Sequence, residues 1–270
     1  MPESFFFPSQ SSQAILSKAM KTHNKHNASL SEIFSSRQGE GPYVGETMTF
    51  VRFGHCALNC KWCDSPDSLT HQTVFQVETP PTSEQFSKLP NPVGIVKLNE
   101  LLLNFQDPYL SITGGEPLEQ VDFLQQWLPS RSKTEKILLE TSGILTKAYK
   151  KIIQHIDITS MDIKLPSSTG MKAYWKEHNT FLQTALEADK EIYVKMIVTN
   201  ETKDVDISIA IKMVNNANRF IPVIIQPVSP TDGFAKTISA DRLSSIERIC
   251  QAYLPDVRVI PQMHKEWGVL

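Results

Sequence analysis

Strand-like and helix-like segments alternate along most of this chain, and that alternation narrows its fold more than any other feature. β-Branched and apolar runs over 47–53, 109–113, 136–140, 156–163, 191–198 and 223–225 read as strands. Between and after them, amphipathic stretches over 97–105, 118–128, 147–154, 174–189, 204–216 and 241–253 read as helices, and 257–261 reads as extended. Parallel strands need a crossover between them, so this order predicts a parallel sheet. About six βα units fall short of the eight in a closed barrel. The expected fold is α/β, a partial (β/α)6-type barrel with one open end.

The 270 residues suffice for one substantial core. Residues 1–29 are rich in Ser, Gln, Asn, Lys and His and read as a loosely ordered extension, with a short helix over 14–20. Residues 30–270 form the expected core domain. Within it, 66–96 carries Pro80, Pro81, Pro90 and Pro92 with little periodicity and reads as an irregular insertion. A net charge of −2 offers no basic footprint for nucleic acid. No apolar run is long enough to span a membrane, and Phe5-Phe6-Phe7 is cut short by Pro8. Neither nucleic acid nor membrane is therefore an expected partner. Few cysteines without a disulfide pattern suit a reducing cytoplasm.

Three of the four cysteines crowd into Cys56-Ala57-Leu58-Asn59-Cys60-Lys61-Trp62-Cys63. A cluster this tight in a thiol-poor chain points to a metal site. Three thiolates can hold three corners of a 4Fe–4S cube, one short of the usual four ligands. The remaining iron is then open to an exogenous ligand, the mark of a chemical rather than a structural site. Zinc is the competing reading, although His55 adjoins Cys56 and no second pair exists. Cys250 lies in an amphipathic stretch and reads as a core thiol.

Polar or glycine-rich residues follow strand after strand: the cysteine loop, 114–116, 140–143, 162–164 and 226–229. Parallel α/β folds bind ligands at the carboxyl ends of their strands. Gly114-Gly115-Glu116 lets backbone approach a ligand closely and could satisfy an ammonium. Lys164 ends an apolar strand and either snorkels or holds an anion. Trp62 is either a core aromatic or a shield for a cofactor.

The cysteine loop resembles the signature of radical S-adenosylmethionine (SAM) enzymes, in which the open iron is chelated by SAM. The resemblance narrows with Arg37-Gln38-Gly39-Glu40-Gly41, Val51-Arg52-Phe53, Trp62-Cys63-Asp64-Ser65, the run from Val257 to His264 and the closing Trp267-Gly268-Val269. Together these resemble the 7-carboxy-7-deazaguanine synthase family, discontinuously from about residue 30 onward. The resemblance implies a radical SAM barrel with an open cluster-binding end. It implies ring contraction of 6-carboxy-5,6,7,8-tetrahydropterin to 7-carboxy-7-deazaguanine with loss of ammonia, toward queuosine and other deazapurines. The implied cofactors are a 4Fe–4S cluster on Cys56, Cys60 and Cys63, SAM, and Mg2+ met by Ser65. The implied partners are the pterin, an electron donor such as flavodoxin or ferredoxin, and a second subunit in a homodimer.

Carried over by position, Arg37, Gln38, Gly39, Arg52, Thr113 and Leu270 border the substrate. Arg52 takes its carboxylate and Glu40 stands close by, the two being the expected catalytic pair. Trp62, Cys63, Asp64, Gly115 and Glu116 border SAM, as do Asp162, Ile163 and Lys164. Gln226, Pro227, Val228 and Ser229 pack near its adenine. Asp162-Ile163-Lys164 stands where several members carry Ser-Pro-Lys. Two rivals remain open at this stage. Another small radical SAM enzyme, such as a glycyl-radical activase, shares the cysteine spacing without needing Gln38, Glu40 and Arg52. A non-enzymatic iron–sulfur protein leaves the polar strand ends unexplained.

Overall fold

The computed structural model describes residues 26–70, 72–131, 135–231 and 234–269. The helix expected over 14–20, most of the extension expected over 1–29, and Leu270 lie outside these residues. In chain order the elements begin with β1 (Asn27–Ala28), β2 (Leu30–Arg37), β3 (Thr47–Phe53), β4 (Val74–Glu78), β5 (Phe86–Pro90) and β6 (Val93–Gly94). There follow α1 (Ile95–Leu102), β7 (Tyr109–Gly114), α2 (Val121–Trp127), β8 (Lys136–Thr141), α3 (Thr146–Ile152) and β9 (Ile158–Asp162). Then come α4 (Pro166–Thr169), α5 (Trp175–Glu187), β10 (Glu191–Val198) and α6 (Asp204–Asn218). The described chain closes with β11 (Val223–Pro227), α7 (Ala240–Gln251), β12 (Val257–Val259) and α8 (Met263–Trp267).

Ten strands form one open sheet in the order β12-β11-β10-β9-β8-β7-β3-β2-β4-β5. From β3 to β12 every pairing is parallel, as the alternation of elements predicts. The two edges, β12 and β5, are not paired with each other, so the barrel is partial. β2 runs antiparallel to β3 and extends to Arg37.

The stretch over 66–96 is not irregular. β4 joins β2 in parallel and β5 joins β4 antiparallel, widening the sheet by two strands. Each strand has five residues, too few to show a clear period, and the prolines stand at their ends. Phe75 and Val77 are buried nonetheless. β1 pairs with β6, and Ala28 is buried, so the ordered fold already includes residues placed in the extension.

Two apolar layers follow from the period of two along each strand. In β10, Ile192, Val194, Met196 and Val198 face the helices and join the main core with Ile207, Ile211, Phe181 and Leu182. The opposite face is concave. Near the amino ends of the parallel strands it is filled by Phe34, Met48, Phe50, Leu138, Ile158, Tyr193 and Ile224. This inner plug is the floor of the space above it. Among the described residues no helix is long and apolar enough to cross a membrane.

Candidate active site

Register carries one set of alternate positions up the concave face. Phe50 pairs with Ser111 and Arg52 with Thr113. Glu140 pairs with Ser160, Lys195 with Asp162, and Ile197 with Gln226. The apolar plug is therefore followed, one strand step later, by a ring of polar and charged side chains. Most of this ring lines one cavity: Arg52, Thr113, Glu140, Ser160, Asp162 and Lys195. Gln38, Gly39, Glu40 and His264 complete its lower wall.

The cysteine loop follows β3 and roofs the same cavity. Cys56, Cys60 and Cys63 are free, partly exposed thiols on its wall. Burial pushes the Cys56 thiol up to about 12 and raises Cys60 and Cys63 as well. Metal ligation must therefore drive off their protons. Among the described residues no three Cys, His, Asp or Glu side chains are gathered as ligands of a single ion. A multi-iron cube presents its corners separately, so thiolates spread over one loop suit it. Cys250 is buried in the main core on α7, in accord with the core reading.

Two glycines allow the roof to sit where it does. Gly114 has a φ of +112°, and a Cβ on Gly115 would lie 2.1 Å from the His55 carbonyl oxygen. Gly115 N donates to Phe53 O at 2.9 Å and Glu116 N to His55 O at 3.0 Å, stitching the glycine turn to the cysteine loop. No larger residue fits this approach. Glu116 does not line the cavity. It is buried behind the turn and accepts from Thr141 Oγ1, Ser142 N and Leu118 N at 2.8, 2.8 and 3.2 Å. Its role here is to clamp the ends of β7 and β8 together. Ile163 likewise turns into the main core, and the Pro227 side chain is absent from both cavity walls.

Lys164 and Asp162 do face the cavity. Lys164 Nζ donates to Asp162 Oδ2 at 2.6 Å and stands 5.2 Å from the centre of the Trp62 ring. Burial works against the Lys164 charge, yet Asp162 and Cys60 raise its pKa overall. Trp62 is a core aromatic that also reaches the cavity wall. It is buried against Ile197 and Val228, with Nε1 donating to Ser168 O at 3.0 Å. On its other side a smaller cleft is bounded by Asp64, Gln226, Val228, Ser229 and Gln262. At these walls, among the described residues, Asp162 Oδ1 and Gln226 Oε1 are buried acceptors without a partner. Such atoms are expensive to leave bare, so the walls suit a ligand rich in N–H and O–H donors, as SAM is. Three thiols beside donor-seeking walls thus fit both a cluster and SAM.

The substrate candidates gather below. Arg52 lies 3.2 Å from Glu32 Oε2 without hydrogen-bond alignment, 5.4 Å over the Phe34 ring, and donates to Ser65 Oγ at 3.3 Å. Ser65 Oγ in turn donates to Asp64 Oδ1 at 3.2 Å. Gln38 Nε2 and Thr113 Oγ1 both donate to Glu140, at 3.0 and 3.1 Å. Arg37 sits at the rim, 5.0 Å over the Trp267 ring. Gly39 is pressed against His264, where a Cβ would come within 2.4 Å of Nδ1. Glu40 is ion-paired with Lys195. Burial favours its neutral form, but Lys195 and the Gln262 hydrogen bond hold its carboxyl down to about 2. Glu40 is thus a fixed negative charge rather than a ready proton acceptor.

Sequence reading missed four residues here. Lys195 carried a signal, a lone charge inside an apolar strand. Glu140 was noted only as a polar strand end. Gln262 and His264 lie in the run from Val257 to His264 but had no assigned role. The backbone ties them in: Met263 N donates to Gly39 O at 2.9 Å.

Comparison with known proteins accords with this geometry. No family model matches the chain. A 7-carboxy-7-deazaguanine synthase of Geobacter sulfurreducens is 36% identical over 253 residues, covering 92% of this chain and 100% of the relative. One of the same name from Methanocaldococcus jannaschii is 32% identical over 252 residues, covering 88% and 99%. Among solved structures, QueE from Escherichia coli superposes with a TM-score of 0.55 at 16% identity, covering 88% of this chain and 95% of that one. A radical SAM methyltransferase from Sphaerobacter thermophilus gives 0.55 at 12% identity, covering 94% and 82%. At such identities the structures speak for the fold alone: the partial barrel of radical SAM enzymes. The sequence relatives go further, and with them the chain belongs to the 7-carboxy-7-deazaguanine synthase family.

Proposed function

We propose that this chain is a radical SAM lyase that converts 6-carboxy-5,6,7,8-tetrahydropterin to 7-carboxy-7-deazaguanine, with loss of ammonia. The observation that carries the reading is the meeting of three cysteines, Arg52 and Glu140 around one cavity. Cys56, Cys60 and Cys63 would hold a 4Fe–4S cluster, which together with SAM would supply the radical chemistry. The chain's own residues then position the substrate. Arg52 offers a planar fork to the pterin carboxylate, a geometry a lysine cannot match. Glu140, already oriented by Gln38 and Thr113, offers acceptor oxygens to the N–H edge of the pterin. Glu40 stands beside it as a second acceptor, held in its charged form by Lys195. The plug of Phe34 and Phe50 gives the ring a dry floor.

Several finer assignments belong to the same reading. Ser65 Oγ offers Mg2+ one oxygen ligand, with waters and substrate supplying the rest. Lys164, Asp162 and Trp62 border SAM on one side, and Gln226, Val228 and Ser229 on the other. The same reading assigns Leu270, which lies outside the described residues, to the substrate, an electron donor such as flavodoxin or ferredoxin to the cluster, and a cytoplasmic homodimer as the working unit. The deciding experiment is anaerobic incubation of reconstituted protein with SAM, reductant and the carboxypterin, followed by mass analysis. Product of the mass of 7-carboxy-7-deazaguanine is expected. Reductive SAM cleavage with the pterin recovered unchanged would reject this substrate.

A further inference from the structure

Two side-chain amides join the larger cavity to the smaller cleft, and both end on the same carboxylate oxygen. Glu40 Oε1 accepts from Gln226 Nε2 at 3.0 Å and from Gln262 Nε2 at 2.8 Å. Gln262 Nε2 also donates to Asp64 Oδ2, at 2.6 Å. Both glutamines line the cleft, whereas Glu40 lines the larger cavity. The far end of Gln226, Oε1, is buried and unpartnered in a side chain only 1% exposed. A buried acceptor in that condition seeks a donor. Gln226 Oε1 is therefore available to a donor that reaches it.

We infer that Gln226 and Gln262 are positioning residues that couple the cleft to the cavity, so that filling either one strengthens binding in the other. This rests on the functional reading above, in which Gln226, beside the cleft, borders SAM and Glu40 borders the pterin. A carboxamide is planar and rigid. A donor that engages Gln226 Oε1 fixes the plane that aims Nε2 at Glu40. Gln262 works from the cysteine loop: one N–H is held by Asp64 and the other by Glu40. A shift of Asp64 as SAM settles beside it therefore reaches Glu40 through a single side chain. Lys195 holds the other oxygen of Glu40, so the carboxylate can be re-aimed without being released. Coupling between two ligands is reciprocal, so the same factor must be seen from either side.

The test uses cluster-reconstituted protein, anaerobic and without reductant, so that neither ligand reacts. Calorimetry gives the SAM affinity with and without saturating 6-carboxy-5,6,7,8-tetrahydropterin, and the pterin affinity with and without SAM. The wild type is expected to show a ratio of roughly tenfold in both directions. Gln226→Met and Gln262→Met are each expected to bring that ratio to about one. A ratio cancels any uniform weakening of one ligand, which a merely structural role would produce. Iron content and thermal melting report folding, and two separate positions keep the test alive if one variant misfolds. SAM and pterin that bind the wild type independently, or a ratio that survives both substitutions, would overturn the coupling and leave the functional reading standing. Failure of the wild type to bind the pterin at all would overturn both.

Discussion

Glu40 and Lys195, 155 residues apart in sequence, form a buried ion pair at the base of the cavity. Removing one member leaves the other charged and without its counter-ion, which costs about 3–5 kcal/mol. Lys195→Met is therefore expected to lose about that much stability in urea unfolding at neutral pH. Adding Glu40→Gln is expected to return a large part of the loss. The sign with pH follows from Glu40, whose carboxyl is held down to about 2. Its contribution is present above the ordinary carboxylate range and disappears as pH falls toward about 2. The gap between wild type and Lys195→Met should narrow along the same path. Equal stability of the two proteins at neutral pH would contradict this account.

Arg52 shares its strand face with Met48 and Phe50 but stands at the carboxyl end, where the plug gives way to the cavity. A charge-assisted pair with a carboxylate contributes roughly 1.5–3 kcal/mol. Arg52→Ala should therefore bind the pterin about ten- to a hundredfold more weakly, while keeping its cluster and its reductive cleavage of SAM. Turnover should fall too, because the reacting carbon is no longer held in place. Arg52→Lys should recover only part. Wild-type pterin affinity in Arg52→Ala would remove the carboxylate assignment.

The three loop thiols and the core thiol should separate cleanly. Cys60→Ala is expected to reconstitute without a 4Fe–4S signal. Cys250→Ser, at a site enclosed by α7 and the main core, is expected to keep the cluster and its spectral response to SAM. Iron analysis with electron paramagnetic resonance distinguishes the two. Loss of iron in Cys250→Ser, with no SAM response, would mean that the cluster is fully ligated by protein.

His178 on α5 is wholly buried, with Nε2 3.2 Å from Ser142 O and 3.4 Å from Lys164 N. Burial holds its imidazole down to about 4. The unfolded chain, near pKa 6.5, takes up a proton that the folded chain refuses. Stability from this residue is full above about pH 6.5 and drains away as pH falls toward 4. His178→Gln should flatten the acid limb of a stability–pH curve by up to about 3 kcal/mol. An unchanged limb would show that the histidine titrates normally.

What the sequence reveals here depends on distance along the chain. β3, β7, β8, β9, β10 and β11 were legible because each carries its own apolar run. The cysteine loop and Arg52 were legible because their chemistry is local. β4 and β5 were missed because they are short and take their order from β2, far back in the chain: Ser35 N and the Glu78 carboxylate are joined by a hydrogen bond across 43 positions. Lys195 and Gln262 gain their meaning only from Glu40, and no local pattern records that partnership. Glu116 is the opposite case. Its place after a strand and two glycines suggested a ligand contact, yet its carboxylate is spent on Thr141 and Ser142.

The Gln262 bond to Glu40 spans 222 residues, and Met263 grips Gly39 beside it. Contacts of such separation form late, after the intervening strands and helices have taken their places. The sheet can therefore be assembled while the wall between the two ligand spaces is still missing. During synthesis Glu40 waits for Gln262, which is made 222 residues later. That order of synthesis allows a stage in which the cysteine loop is made and the substrate side is still unwalled, and the docking of Gln262 and Met263 ends it.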